Sequence, residues 1–274
     1  MSGDKRTVLT TGANSGIGLA TVVHLAGLGF HSVGSVRSES KGADVAKAAA
    51  SSGTSVDTIL LDVTDAERCA AVIEELRPWA VVNNAGYSGI GAIEDTTDEE
   101  ARRQLETMVV APMRLARLAL PHMRESGGGR VVNVSSIYGL TTTPLSGWYQ
   151  ACKHALEAAS DALRLEVVRD RVRVVLIEPG GVKTGIWEEL DRDVARHGRS
   201  DYEVGYERAR TLLTMFSGVM GQPAGVARTI GKALTARSPR ARYLVGPDAR
   251  AIALAQPLIP TGIRDRITRM VVGL

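Results

Sequence analysis

The chain has few aromatic residues. Phe, Trp and Tyr together make up 4% of its 274 residues, which excludes a core assembled from large rings and leaves Ala, Val, Leu and Gly to fill it. Cysteine occurs at two positions, Cys69 and Cys152, both in stretches with helical patterning. That excludes a disulfide framework. Neither they nor His24, His31, His122, His154 and His197 stand at metal-ligand spacing, so no metal is expected. No run reaches the roughly 18 apolar residues that a spanning helix needs. The opening MSGDKRTVLTTG lacks the apolar region of a secretion signal, and the expected location is a reducing cytoplasm. Neither charge dominates: 33 Lys and Arg stand against 30 Asp and Glu, a net +3. The cations are scattered, and no nucleic-acid-binding motif accompanies them. Repeats, low-complexity stretches and linkers are absent, so residues 1–274 are read as one domain.

What is present is apolar and small: 44% hydrophobic residues with 29 glycines, a composition that suits helices packed closely on a parallel sheet. Thr7–Thr11 (TVLTT) is short, β-branched and ends at a glycine, and reads as a buried strand. Gly12-Ala13-Asn14-Ser15-Gly16-Ile17-Gly18 follows and leads into a helical pattern over Leu19–Leu28. Strand, glycine-rich turn and helix form the context of a phosphate-binding fingerprint. Gly12 permits a tight turn, Gly16 lets the backbone approach a pyrophosphate at the helix N-terminus, and Gly18 lets the helix lie close to the strand. Phe30–Val36 reads as a second strand, followed by Arg37 rather than the acid that would bond a ribose 2′-OH. A guanidinium there suits a 2′-phosphate, which favours NADP over NAD.

Strands and helices then alternate. The pattern predicts a helix over Lys41–Ala50, a strand over Ser55–Leu61 ending at Asp62 and Val63, and a helix over Asp65–Arg77. A strand over Trp79–Asn84 runs into Asn83-Asn84-Ala85-Gly86. Glu99–Arg124 is a long helical pattern interrupted by Pro112, which has no N–H for the carbonyl of Met108. Arg130–Ser135 is a strand with Ser136 at its tip, Trp148–Arg169 a helix, and Arg171–Ile177 a strand leading to Pro179, Gly180, Val182 and Thr184. Residues 185–221 loosen into a substrate-loop pattern with one amphipathic piece near Tyr202–Phe216. Pro223–Ala236 reads as helix and Arg242–Val245 as a last strand. The tail, 248–274, mixes apolar residues with arginines. It reads as a helix or two covering the fold, with a membrane-surface or oligomer contact as the alternative. The expected fold is α/β, a doubly wound parallel sheet of about seven strands flanked by helices.

Tyr149 and Lys153 stand four apart within a predicted helix, so they share a face. A free tyrosine titrates near ~10, and a neighbouring ammonium favours its phenolate. Lowering the pKa by about three units takes about 4 kcal/mol, which Lys153 and a cationic nicotinamide can supply in a water-poor cleft. Ser136 offers a hydroxyl to polarise a substrate oxygen.

Taken together, these pieces resemble the classical short-chain dehydrogenase/reductase family over roughly Thr7 to Val245. Thr11–Gly18 matches T-G-x-x-x-G-x-G, Asn83–Gly86 matches N-N-A-G, and Ser136, Tyr149 and Lys153 match the serine and Y-x-x-x-K set. Pro179-Gly180 with Thr184 matches the segment around the nicotinamide. The resemblance implies a single Rossmann-type domain that binds NADP(H) through Gly12, Asn14, Ser15, Gly16, Ile17, Gly18, Arg37, Asp62, Val63, Asn83, Ala85 and Gly86. It implies the same for Tyr149, Lys153, Pro179, Gly180, Val182 and Thr184. Tyr149 would be the acid in reduction and the base in oxidation, Ser136 would hold the carbonyl oxygen, and Lys153 would bind the nicotinamide ribose. Homodimers or homotetramers pairing through the two long helices are common in the family. FHSVGSVRS, the 113–123 helix end and RARYLVG look most like hydroxysteroid and retinol dehydrogenases.

One position departs from the family pattern: its usual catalytic asparagine aligns with Met108, which has no amide. Pro112 is expected to preserve a kink there, and with it a proton relay through the backbone carbonyl. The expected function is an oxidoreductase acting on an alcohol and a ketone or aldehyde. Apolar residues at Leu140, Pro144, Leu145, Trp148, Ile186, Trp187, Met215 and Phe216 point to an apolar substrate. The rival reading is a slow or inactive dinucleotide-binding sensor on the same fold.

Overall fold

The computed structural model describes residues 5–184, 200–218 and 220–273. Its centre is one parallel sheet in the order β3-β2-β1-β4-β5-β6-β7. The strands are β1 (Thr7–Thr10), β2 (His31–Val36), β3 (Asp57–Leu60), β4 (Ala80–Asn83), β5 (Gly129–Val134), β6 (Val172–Pro179) and β7 (Arg242–Val245). The helices are α1 (Gly16–Gly27), α2 (Glu39–Ser51), α3 (Ala66–Leu76), α4 (Asp98–Leu105), α5 (Ala111–Glu125), α6 (Gly147–Glu166), α7 (Glu203–Phe216), α8 (Pro223–Thr235), α9 (Pro247–Ala255) and α10 (Thr261–Val272).

Strand alternation explains why the chain adopts this layering. Leu9, Val81, Val131 and Val174 join a core with Cys69 and Ile73 of α3 and Leu115 and Met123 of α5. Their neighbours Val8, Val82, Val132 and Val175 point the other way, toward Leu25 of α1 and Val226 and Ile230 of α8. Each such side chain contributes about 1.5–3 kcal/mol by leaving water, so both faces of the central strands demand cover. The order turns back at β1, which pairs with β2 on one side and β4 on the other. The turns after β1 and β4 therefore part and leave a crevice at the carboxyl ends of the strands.

The predicted elements are present, with differences at their ends. The pattern over Glu99–Arg124 is three pieces: α4, one π turn over Glu106–Val110, and α5. The wide turn immediately precedes Pro112, which cannot donate to Met108, and such turns absorb a local break in the helical ladder. α6 stops at Glu166, three residues before the predicted end, because Val168–Asp170 tightens into a 3₁₀ turn and Arg171 takes φ 56. β6 runs on to Pro179 through its pairing with β7. The first part of the expected substrate loop, with Ile186 and Trp187, lies outside the described residues. Its amphipathic piece is α7, which Tyr206 locks in place: the fully buried phenol donates to Asp95 and accepts from the N–H of Ala92, at 2.6 Å each.

Candidate active site

The crevice is a cleft of about 550 Å³ at the ends of β1 to β6. Its floor is the turn after β1, where Gly12, Asn14, Ser15, Gly16 and Ile17 face the opening. Gly12 adopts φ 64, a left-handed conformation that other residues resist. Gly18 does not reach the cleft; a Cβ on it would collide with the Gly12 carbonyl and the Asn84 amide. It packs α1 close to the turn, the packing the motif spacing predicts, and does not line the cleft as the cofactor contact that the resemblance implied.

The turn after β4 is fastened to this floor. The Thr11 hydroxyl accepts from the N–H groups of Asn84 and Ala85 at 2.9 Å each, and the Asn84 amide donates to the carbonyls of Thr11 and Gly12. Ala85 and Gly86 line the cleft, and so does Asn84. Asn83, predicted as a cofactor contact, does not line it. Its side chain turns inward, donating to Asn133 at 2.8 Å and to the Pro112 carbonyl at 3.3 Å. The N-N-A-G motif signalled this turn without showing which amide faces inward.

On one rim stand Arg37, Asp62 and Val63 with Thr64. Burial opposes ionisation of Asp62, but two hydrogen bonds from Thr64 and the charges of Arg37 and Arg103 outweigh it and hold the carboxyl below its ordinary range. Arg103 reaches this rim from α4. No sequence signal marks it, because its approach depends on how α4 packs.

At the other end Tyr149 and Lys153 line the cleft from one face of α6, the Lys153 ammonium lying 5.5 Å from the centre of the Tyr149 ring. The ammonium donates to the Val134 carbonyl at 2.9 Å. Ser136, at the tip of β5, lies behind the cleft lining and hydrogen-bonds Tyr149. Burial pushes the Tyr149 phenol up to about 12, against the lowering effect of Ser136, and pulls Lys153 down to about 8. Within the protein alone, desolvation is the largest influence on the phenol; the lowering expected from Lys153 with a cationic nicotinamide is a property of the cofactor-bound site.

The segment after β6 closes the site. Thr184 lines the cleft beside Gly16, whereas Pro179, Gly180 and Val182 form the support behind it. The Gly180 N–H donates to Val245, and the Gly181 N–H to Asp248 at 2.6 Å. Val182 bridges to Gly221. Asp248, 67 residues from Gly181, has no signal in the sequence. Met108 is 1% exposed and lies against Gly86, outside the lining; no side-chain amide stands in its place. Of the apolar set, Leu145 is buried and Met215 is 72% exposed, while the Phe216 side chain lies outside the described residues. A second, mostly apolar hollow of about 580 Å³, bordered by Ile93, Pro144, Leu145 and Tyr202, opens at the start of α6. Among the described residues no group of side chains could hold a metal ion, and no helix is long and apolar enough to cross a membrane.

Residues 6–195 match the family model for short chain dehydrogenases. The chain belongs to this family. The NADPH-dependent 3-dehydrocapnine reductase of Ornithobacterium rhinotracheale is 32% identical, over 96% of this chain and 95% of its own length. Retinol dehydrogenase 7 of Rattus norvegicus is 29% identical, over 95% and 86%. A solved structure of actinorhodin polyketide ketoreductase with NADPH superposes with a TM-score of 0.77 at 27% identity, covering 90% of this chain and 97% of that one. Membership bears out the resemblance read from the motifs, and this short-chain dehydrogenase is an oxidoreductase.

Proposed function

We propose that the protein interconverts an alcohol and a ketone or aldehyde on an apolar substrate with NADP(H), Tyr149 carrying the proton. The observation that supports this reading is the meeting of Tyr149 and Lys153 at one end of a glycine-floored cleft, with Ser136 behind the lining and hydrogen-bonded to Tyr149. The residues present fit the dinucleotide. The α1 N-terminus and the turn before it suit a pyrophosphate, and Arg37 with Arg103 suits a 2′-phosphate. The 3-dehydrocapnine reductase is NADPH-dependent by name, and the ketoreductase structure contains NADPH. When bound, the nicotinamide supplies or accepts the hydride.

The chain's own groups do the rest. With its pKa near 12, the Tyr149 Oη keeps its proton at neutral pH, the state an acid needs before a carbonyl is reduced. The Ser136 hydroxyl holds the substrate oxygen beside it. Lys153, near 8, is mostly an ammonium at pH 7 and favours the phenolate left behind. The apolar hollow beside Leu145 and Ile93 is the reason for assigning an apolar substrate.

The test is turnover of a panel of apolar ketones and aldehydes with NADPH. Replacing Tyr149 with Phe should cut kcat by about 10²–10⁴-fold, the usual size of a positioned acid, while nicotinamide fluorescence shows NADPH still bound. Binding without turnover of any panel member by the wild-type chain would instead favour a cofactor-binding sensor, the reading that Met108 supports by filling the asparagine position.

A further inference from the structure

We propose that α9 and α10 form a face that lies on an anionic phospholipid surface. α10 leans on the body of the protein through Val272, which packs with Ala92, Leu145 and Tyr206. The opposite side of the helix has no cover. There Ile263, Ile267, Met270 and Val271 recur at the spacing of one helical stripe, and they are 55%, 52%, 70% and 50% exposed. Leu258, in the turn before α10, and Leu254, near the end of α9, are 81% and 73% exposed. A single exposed apolar side chain is ordinary, but a run of this length marks an interaction surface.

The charges around the stripe identify the partner. At 100° per residue, Arg264 and Arg266 border it on either side, and Arg269 lies beyond Arg266. The segment from Pro247 onward carries four arginines against two aspartates, with no lysine or glutamate. An apolar stripe edged by cations is the pattern of a helix lying in a membrane interface, its apolar side among acyl chains and its cations at the headgroups. A second copy of this chain suits the stripe poorly, because a two-fold contact would bring arginine edge toward arginine edge. At 12 residues, α10 is too short to cross a bilayer.

The face is joined to the segment behind the active site and to α7. Asp248, in the first turn of α9, holds the Gly181 N–H, and α10 packs on α7. If the reductase reading holds, a substrate dissolved in lipid would be met where it resides; the docking itself does not depend on that reading.

Flotation of the full chain with vesicles tests the proposal. Pure phosphatidylcholine would be compared with phosphatidylcholine containing one third phosphatidylglycerol, at low and high salt. The expected result is flotation with the anionic vesicles at low salt and loss of it at high salt. Each of R264Q, R266Q and R269Q should weaken binding about fivefold, and I267E/M270E should abolish it. Arg266, Ile267, Arg269 and Met270 are exposed and Arg264 is half-buried beside Asp265; none lines the cleft, so NADPH binding should persist in every variant and report an intact fold. Failure of the wild-type chain to float with anionic vesicles at low salt would overturn the proposal, as would flotation of I267E/M270E equal to wild type. A solution mass that halves in I267E/M270E, with no lipid binding by the wild type, would show a second copy to be the occupant and overturn it equally.

Discussion

Asp62 and Lys153 stand at opposite ends of one cleft, and burial opposes the charge of both. At the Asp62 end the charged form wins. Thr64 donates twice to the exposed carboxylate, at 3.0 and 2.7 Å, Arg37 and Arg103 add positive charge, and the pKa falls below its ordinary range. At the Lys153 end burial wins. Lys153 is 7% exposed, its ammonium donates to a carbonyl, and its pKa falls to about 8. The difference is water. An exposed ion keeps most of its hydration, so modest partners decide its state, whereas a buried ion must be compensated by the protein alone. The rim thus carries permanent charge suited to holding an anion, and the chemical end carries charge that a bound ligand can shift.

The strongest way to break this comparison is to remove the buried ammonium. Lys153 drops from 10.5 to about 8, and that shift corresponds to about 3 kcal/mol of stability given up while the group is charged. The sign follows from proton counts. Between pH 8 and 10.5 the unfolded chain holds a proton on this lysine that the folded chain has lost, so stability rises with pH in that window and the cost is present in full below it. Lys153→Met should therefore lose activity yet become more stable at pH 7. The net gain should be about 0–2 kcal/mol, because the Val134 carbonyl loses its donor at a cost of about 1–3 kcal/mol. Thermal melts at pH 7 and pH 10 check this: the variant's advantage should shrink at the higher pH. A variant that melts lower than wild type at pH 7 would show that Lys153 is a structural support rather than a buried cost.

Arg37 tests the other end. With Asp in its place, the KM for NADPH should rise about 30-fold, the size of a charge-assisted hydrogen bond of about 2 kcal/mol, and the KM for NADH should fall or stay level. Added salt should raise the wild-type KM for NADPH more than that of the variant, since exposed charges are screened. Equal changes for both cofactors would remove Arg37 from phosphate recognition and weaken the case for NADP.

How far the sequence could be read divides along similar lines. The glycine turn and the Tyr149–Lys153 pair were legible because short spacings determine them: a strand end, a left-handed glycine and one helical repeat. Pro112 announced a break in the long helix, though not that the break would be a π turn. Thr11 with Asn84, Arg103 and Asp248 were not legible as partners, because each acts across the sheet on a residue far away in sequence. The upward push on the Tyr149 pKa from burial was not legible for a related reason. Charge pairs can be read from spacing, but burial depends on everything packed around them.

The smallest effect sharpens the comparison most. Asp62→Asn keeps the acceptor oxygen for Thr64 and removes only the charge. The folded pKa of Asp62 lies below its ordinary 3.8, so its contribution to stability is present above pH 3.8 and is lost as pH falls through the folded value. Because the carboxylate is exposed, screening limits that contribution to about 1 kcal/mol or less, or about 2–4 °C in melting temperature at most. The variant should melt slightly lower than wild type at pH 7, and the gap should close on acidification below pH 4. The opposite signs at pH 7, a small loss for Asp62→Asn and a gain for Lys153→Met, are the quantity to measure side by side. If Asp62→Asn cost more than Lys153→Met gained, the rim would depend on its charge for stability as heavily as the buried end suffers from its own, and solvent exposure would not be what separates them.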